Sequence, residues 1–417
     1  MTHATVHART PSAFRYWEAR EEPRWRRRAR LTRLLGHELF PSDDRARALC
    51  EGLYGGDPVA ERFVAEVFFG EIGHVRGRQL LTRALRDGID AVPEAPESMR
   101  ALFAEFDTVP DWVDREQVEL GAEIWRRWGT MLFNVAGVTT LEIYTESGVA
   151  LPLSLAGGYA GDSALRRFLE SAKFWIDTSE PGGLFTPGSE GRTTAMLVRI
   201  MHVAVRQRVG SHPEWDAERW GLPISQTYMM LTQIGGSVAP AMALWVLGYQ
   251  TTPAEMRAAL HFNRYMGHLL GVDPEWMPET VRDCLQVLAL SIAARSYDSG
   301  PHGKELIESF PAAFAPRPGQ SPLARLRAAY NHRIIAAYCA IWLSASTRRT
   351  YDLPRAFPWV LILIARWPLI TITELLRRLP GLRTLHLAVM DRHRRAWWAA
   401  QMEGRQAAFD ASSGLRR

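Results

Sequence analysis

His202 is the residue with the most chemistry to offer. It lies in TTAMLVRIMHVAVRQRV, where helical spacing puts Ala195, Val198, His202, Val205 and Val209 on one face. A lone histidine among apolar residues is most often a core histidine with its hydrogen bonds satisfied. The same setting suits an axial haem ligand, which needs neutral imidazole presented from a rigid helix into a dry slot. Upstream, in LRRFLESAKFW, Arg167, Glu170, Ser171 and Phe174 share one helical stripe. Leu165, Phe168, Leu169, Ala172 and Ile176 form the opposite, apolar one. A polar trio of this kind is either the wet side of a helix or the lining of a cavity, and spacing does not choose between them.

Other chemistries leave no trace. The sequence has no HExxH, no paired ExxH, no 2-His-1-carboxylate spacing, no GxSxG and no Walker loop. Cys50, Cys284 and Cys339 are far apart and form no CxxC or CxxCH, which rules out a zinc ribbon and covalent haem attachment and suits a reducing compartment. His261 and His268 lie seven apart on one helical face and read as core or surface side chains rather than pocket edges; His332 carries a weaker signal still.

The elements that must hold these residues are helical. Apolar residues recur at three- and four-residue spacing in ERFVAEVFFGEI, MRALFAEF, VELGAEIWRRWGTMLF, LRRFLESAKFWI, PAEMRAALHFNRYMGHLLG and LARLRAAYNHRIIAAYCAIWLSAS. Asp57-Pro58, Thr252-Pro253 and Ser321-Pro322 read as helix starts. Residues 181–191, PGGLFTPGSEG, must be a loop, and 300–322 reads as a second irregular stretch. Strand signals are weak throughout. The expectation is one large all-α domain with little or no sheet: a basic helical extension over 1–44, a core over 45–300, and C-terminal helices over 301–417 that complete it.

Composition agrees with a globular protein: 417 residues, 47% hydrophobic and 23% charged. The net charge of +5 comes without any nucleic-acid-binding motif, so nucleic acid is set aside. The run Arg24, Arg26, Arg27, Arg28, Arg30, Arg33 reads as a solvated helix face. Fifteen tryptophans must line a core or a large apolar cavity. The N-terminus shows no apolar signal region, so the expected location is cytoplasmic. The most apolar segment is AFPWVLILIARWPLITITELL, residues 356–376, flanked by arginines and interrupted by Arg366 and Pro368. It reads first as a buried helix and second as an element lying on a membrane surface; a membrane span is the weakest reading.

Several blocks together resemble the latex clearing protein (rubber oxygenase, MpaB-type) family. They are GGDPVAERFVAEV, VPDWVDREQVELG, the Arg167-to-Ser171 helix, VRIMHVAVR, WGLPISQTYMMLTQ and LHFNRYMGHLLGVDPEWMP, in the family's order and spacing across roughly 45–290. The resemblance implies a helical fold with a globin-like core around one haem b. It implies His202 as the proximal iron ligand, with Arg167 and Ser171 supporting the haem and its distal pocket. Glu170 stands where rubber-cleaving members often hold a lysine. The Glu that those members use as a base before the Arg helix has no counterpart in VALPLSLAGGYAGDSAL, and Glu142 and Glu146 are uncertain substitutes. Glu170 is the candidate to have taken over the base role.

The implied activity is a haem-dependent oxygenase, a dioxygenase before a monooxygenase, using O2 on a hydrophobic alkene or lipid-like substrate. Two alternatives stay open: a haem-free helical protein that binds a lipid or isoprenoid, and a haem monooxygenase or peroxidase-like tailoring enzyme.

Overall fold

The helix-start signals work as the side chains predict. Asp57 accepts from Ala60 N (3.2 Å), Thr252 and Glu255 close a reciprocal capping box, and Ser321 accepts from Ala324 N (3.3 Å), with proline in the first turn each time. The structure is a computed structural model and describes residues 10–34, 38, 40, 42–156, 163–402 and 407.

In chain order the helices begin with α1 (Tyr16–Glu21), α2 (Pro23–Leu34), α3 (Asp43–Gly52), α4 (Pro58–Phe63), α5 (Gly73–Asp87), α6 (Glu97–Asp107) and α7 (Arg115–Thr140). Next come α8 (Ser147–Leu155), α9 (Ala164–Thr178), α10 (Glu190–Gly210), α11 (Ala217–Trp220), α12 (Gln226–Val246) and α13 (Pro253–Leu269). The chain finishes with α14 (Val281–Ala294), α15 (Gly300–Ala312), α16 (Pro322–Trp342), α17 (Ala345–Thr350), α18 (Val360–Leu376) and α19 (Leu382–Met402). No strand occurs among the described residues, and the all-α expectation holds.

Helix α7 is the hub. It packs on α13, α12 and α19, and more lightly on α16 and α9. It does not run straight: Gly129 takes φ 57°, ψ −144°, a conformation that only glycine adopts readily, and the helix kinks there. A Cβ at this position would also lie 2.6 Å from Met390 Cε of α19. Trp125 of α7 stacks on Trp175 of α9 with centroids 4.0 Å apart, so tryptophan fills the centre of the core as its abundance suggests.

In α2 only Trp25 is buried, and Arg24, Arg26, Arg27, Arg28 and Arg30 face solvent. Two expectations need correction. Residues 300–322 are not irregular throughout, because α15 occupies 300–312. Pro301 lies in the first turn, where no amide is lost, Pro311 comes only in the last turn, and Leu306, Ile307 and Phe310 are buried. Segment 356–376 is helical from Val360 but is not a buried helix. Of α18 only Leu363 and Glu374 are buried. Polar contacts fix its inner side: Glu374 meets Arg377 (3.1 Å) and Arg127 (3.5 Å), and Thr371 Oγ1 donates to Gly248 O (3.4 Å). Leu361, Ile364, Trp367, Leu369, Ile372, Leu375 and Leu376 therefore point outward.

Candidate functional site

The histidine helix is held by its own arginines. Arg192, Arg199 and Arg206 recur every seven residues on α10 and are buried to 6%, 2% and 3% exposure. Arg192 donates to Leu184 O (3.0 Å) and Phe106 O (3.1 Å). Arg199 makes a two-pronged pair with Asp57 (2.7 and 2.9 Å) and reaches Glu105 (2.6 Å). Arg206 binds Pro223 O (3.1 Å), Ile224 O (2.6 Å) and Glu61 (2.7 Å). A buried guanidinium is tolerable only when paired in this way. Together the three clamps prevent α10 from turning about its axis.

The motif blocks converge on this frame. Gln226 Nε2 donates to Gly56 O and Gly271 O, both at 2.7 Å, and Gln226 Oε1 accepts from Asp273 N (3.0 Å). Gly271 has φ +81°, and a Cβ there would lie 2.1 Å from Asp57 Oδ2 and 2.9 Å from Arg199 Nε. Residues far apart in sequence thus close one polar knot beneath α10.

His202 stands on the helix so fixed. Ala195, Val198, Val205 and Val209 are buried beside it, as the spacing predicts. Burial, helped by the neighbouring Arg206 charge, drives its pKa down to about 4, so the imidazole is neutral at neutral pH. Its Nδ1 is buried and, among the described residues, has no hydrogen-bond partner. The residue as a whole is half-buried. A neutral imidazole with an orphaned nitrogen beside apolar side chains is the donor that a histidine-ligated metal site requires. Among the described residues no group of three or more His, Cys, Asp or Glu is placed to hold a metal ion. A porphyrin iron needs only one protein ligand, and the His202 environment fits that demand.

Helices α9 and α10 run antiparallel. Thr194 Oγ1 donates to Asp177 Oδ2 (3.1 Å) near the hairpin end, and this register sets His202 level with the first turns of α9, where Arg167, Glu170 and Ser171 lie. Glu170 is 4% exposed and Phe174 6%, so this stripe is not the wet side of the helix. Glu170 is held by Arg167 (2.9 Å) and Arg166 (3.2 Å), and Ser171 Oγ donates to Arg167 O (3.2 Å). Among the described residues no hydrogen bond joins His202 to any of these three. Residues 157–162 of the segment before α9 lie outside the described residues.

A second feature emerges beside α8. An apolar cavity of about 200 Å³ is lined by Leu49, Leu53, Val149, Leu231 and Leu288, among others, together with Glu146 and Tyr228. Glu146 Oε2 accepts from Ser296 N and Oε1 from Ser296 Oγ, both at 2.9 Å. Burial pushes its carboxyl up to about 7. Burial, reinforced by the Glu146 and Asp298 charges, holds the Tyr228 phenol well above its ordinary range. Glu142 also lines the cavity but is spent on Thr347 (3.0 Å) and Ser344 N. Helix α8 separates the two features: Glu146 and Val149 meet the cavity, while Leu151 and Leu155 pack with Val205 and Met201 of α10. Nothing in the spacing marked Tyr228, and Glu146 was visible only as a carboxylate near the right place.

The remaining candidates are structural. His261 Nε2 accepts from Asp114 N (2.8 Å), and both His261 and His268 pack edge-on against Trp112. The three cysteines are free and buried, with thiols pushed up to about 12, which makes them inert.

Residues 122–367, more than half of the chain, match the family described as ER-bound oxygenase mpaB/B'/Rubber oxygenase, catalytic domain. The rubber oxygenase of Streptomyces sp. (strain K30) is 23% identical over 323 residues, covering 76% of this chain and 75% of that protein. The structure of latex clearing protein LCP in the closed state matches with a TM-score of 0.64 at 21% identity, covering 86% of this chain and 94% of that one. That likeness extends to the fold. A match over more than half of the chain settles the assignment: the chain belongs to the oxygenase family that unites mpaB/B' and rubber oxygenase catalytic domains.

Proposed function

We propose that this oxygenase is haem b-dependent, with His202 as the axial ligand, and that it uses dioxygen on a hydrophobic alkene or lipid-like substrate. The observation that carries the reading is the His202 imidazole itself: neutral, with Nδ1 buried and unpartnered among the described residues, on an α10 face shared with Ala195, Val198, Val205 and Val209. Arg167 and Ser171, level with it on α9, are the groups that would hold the haem from the other side. Bound haem would supply the redox chemistry that activates dioxygen.

The chain's own residues would do the rest. The arginine clamps keep the imidazole in one orientation. The apolar wall of the α8 cavity accepts a hydrocarbon chain and excludes water. Across α8 from His202, the Glu146 carboxyl, pushed up to about 7, and the protonated Tyr228 hydroxyl are polar groups lining that cavity. Glu170 on α9 is held between the Arg166 and Arg167 guanidiniums. Cleaving a C=C bond with O2 to two carbonyls balances without a reductant, since both oxygen atoms enter the products. A monooxygenase would need two further electrons, which makes the dioxygenase the simpler reading.

The test has two steps. The purified protein should show a Soret band near ~400 nm from a histidine-ligated haem, and His202→Ala should lose it while keeping its helical signal. Normal haem loading in His202→Ala removes the axial assignment. With labelled dioxygen, two labelled atoms per cleaved substrate support the dioxygenase, and one atom points to a monooxygenase. The apolar cavity would equally serve a haem-free lipid binder, and a colourless protein that binds lipid and takes up no haemin would establish that instead.

A further inference from the structure

Helix α18 is inside out. Its exposed residues are Leu361, Ile364, Ala365, Trp367, Pro368, Leu369, Ile372, Leu375 and Leu376, every one apolar. Its charged residues point the other way: Glu374 is fully buried, and Arg366 is bonded to the Tyr330 hydroxyl. In water this arrangement is the costly one, because outward apolar area gains nothing and inward charge must be desolvated. The apolar face continues onto α19 through Leu385 and Val389, 60% and 55% exposed. It also continues onto the end of α12, where Trp245 and Val246 are 60% and 54% exposed and Gly248 touches α18. A contiguous apolar surface of this kind marks a docking site.

Charge identifies the occupant. From Ala345 to Met402 the chain carries ten arginines against Asp352, Glu374 and Asp391. Glu374 is consumed by Arg127 and Arg377, and Asp391 by Arg394 and Arg395. Arg383 is paired with Glu123 (2.8 Å), and Arg348, Arg349, Arg355, Arg378 and Arg392 remain exposed on the segments before and after α18 and on α19. A second copy of the chain would bring like-charged rims together. An anionic bilayer pairs with both parts at once, headgroups with the arginines and acyl chains with the apolar side chains.

We propose that the outer face of α18 and α19, with the end of α12, lies on an anionic lipid surface. The helix rests in the interface and does not span: 17 residues rise only about 25 Å, and one side is occupied by α16. The proposal holds whether or not the protein carries haem.

Flotation of the full chain with phosphatidylcholine vesicles, with and without phosphatidylglycerol, tests it. Binding should be strong on the anionic vesicles, weak on the neutral ones, and reduced by added salt. The triple variant Leu361→Gln/Ile364→Gln/Ile372→Gln should lose binding by roughly a hundredfold with an unchanged melting temperature. A second readout avoids substitution of the packed side: lipids brominated in the acyl chain should quench tryptophan fluorescence, and less so in Trp367→Phe. Failure to bind anionic vesicles, equal binding by wild type and triple variant, or a dimer in solution that the triple variant dissolves without any vesicle binding would each overturn it.

Discussion

Helices α10 and α18 both bury charge, and the outcomes differ. On α10 the buried guanidiniums recur along the helix and reach α4, α6 and the segment before α12, so every turn is fixed from several sides. The neighbouring face can then hold one imidazole in one place. On α18 the buried polar groups clamp only the inner side, to α7 and α13 through Arg127 and Glu255, and among the described residues the outer side stays exposed. Buried ion pairs add little net stability over apolar packing, but breaking one is expensive. Their use in both helices is orientation. In α10 they orient a functional side chain inward, and in α18 they orient an apolar face outward.

The comparison can be broken at three points. The largest effect should come from Asp57→Asn. It leaves Arg199 half paired in the interior and should cost about 3–5 kcal/mol, read from chemical denaturation, with haem uptake falling in parallel. A cost below about 1 kcal/mol would mean that α10 is held otherwise. Glu374→Gln comes next. It should cost about 2–4 kcal/mol and expose the α18–α19 hairpin to limited proteolysis, whereas Leu361→Gln on the outer face should shift stability by no more than about 0.5 kcal/mol. Equal costs on the two faces would erase the distinction.

The smallest net effect is one of pH on the haem-free protein. An unfolded imidazole takes its proton near 6.5 and His202 only near 4, so stability falls as pH drops through that window, by about 3 kcal/mol in all. Glu146 works the other way. Its folded carboxyl holds its proton to about 7 against 4.5 when unfolded, so stability falls as pH rises between those values, by a similar amount. The two slopes should nearly cancel in the wild type. Glu146→Gln should unmask a loss of stability in acid, and His202→Gln a gain; urea midpoints across pH 4 to 7.5 would reveal parallel curves if either group is not shifted as described.

The sequence made most of the helices legible, because apolar period and proline-led caps are local signals. It misread α15, where glycine and proline density outweighed a buried Leu306–Phe310 stripe. It also reversed the environment of α18. Periodicity reports that a helix has an apolar face and says nothing about what that face meets. The face bearing His202 was legible for the same reason that the face of α18 was not: its neighbours are small and branched, and the three arginines on the adjoining stripe needed buried acids that only the fold could supply. The Glu146 cavity escaped because its carboxyl is perturbed by residues 295–298, about 150 positions away in the chain.

One backbone position has a bearing on all of this. Because Gly129 turns α7 aside, the longest rod in the protein changes heading midway. Its first half serves the α13 contact and its last turn delivers Thr139 and Thr140 to the cavity wall. The hollow left by the missing methyl is where Met390 seats the C-terminal hairpin. Interior chamber and outer face therefore share a single keystone, and any side chain introduced there would disturb both together, however far apart their activities lie.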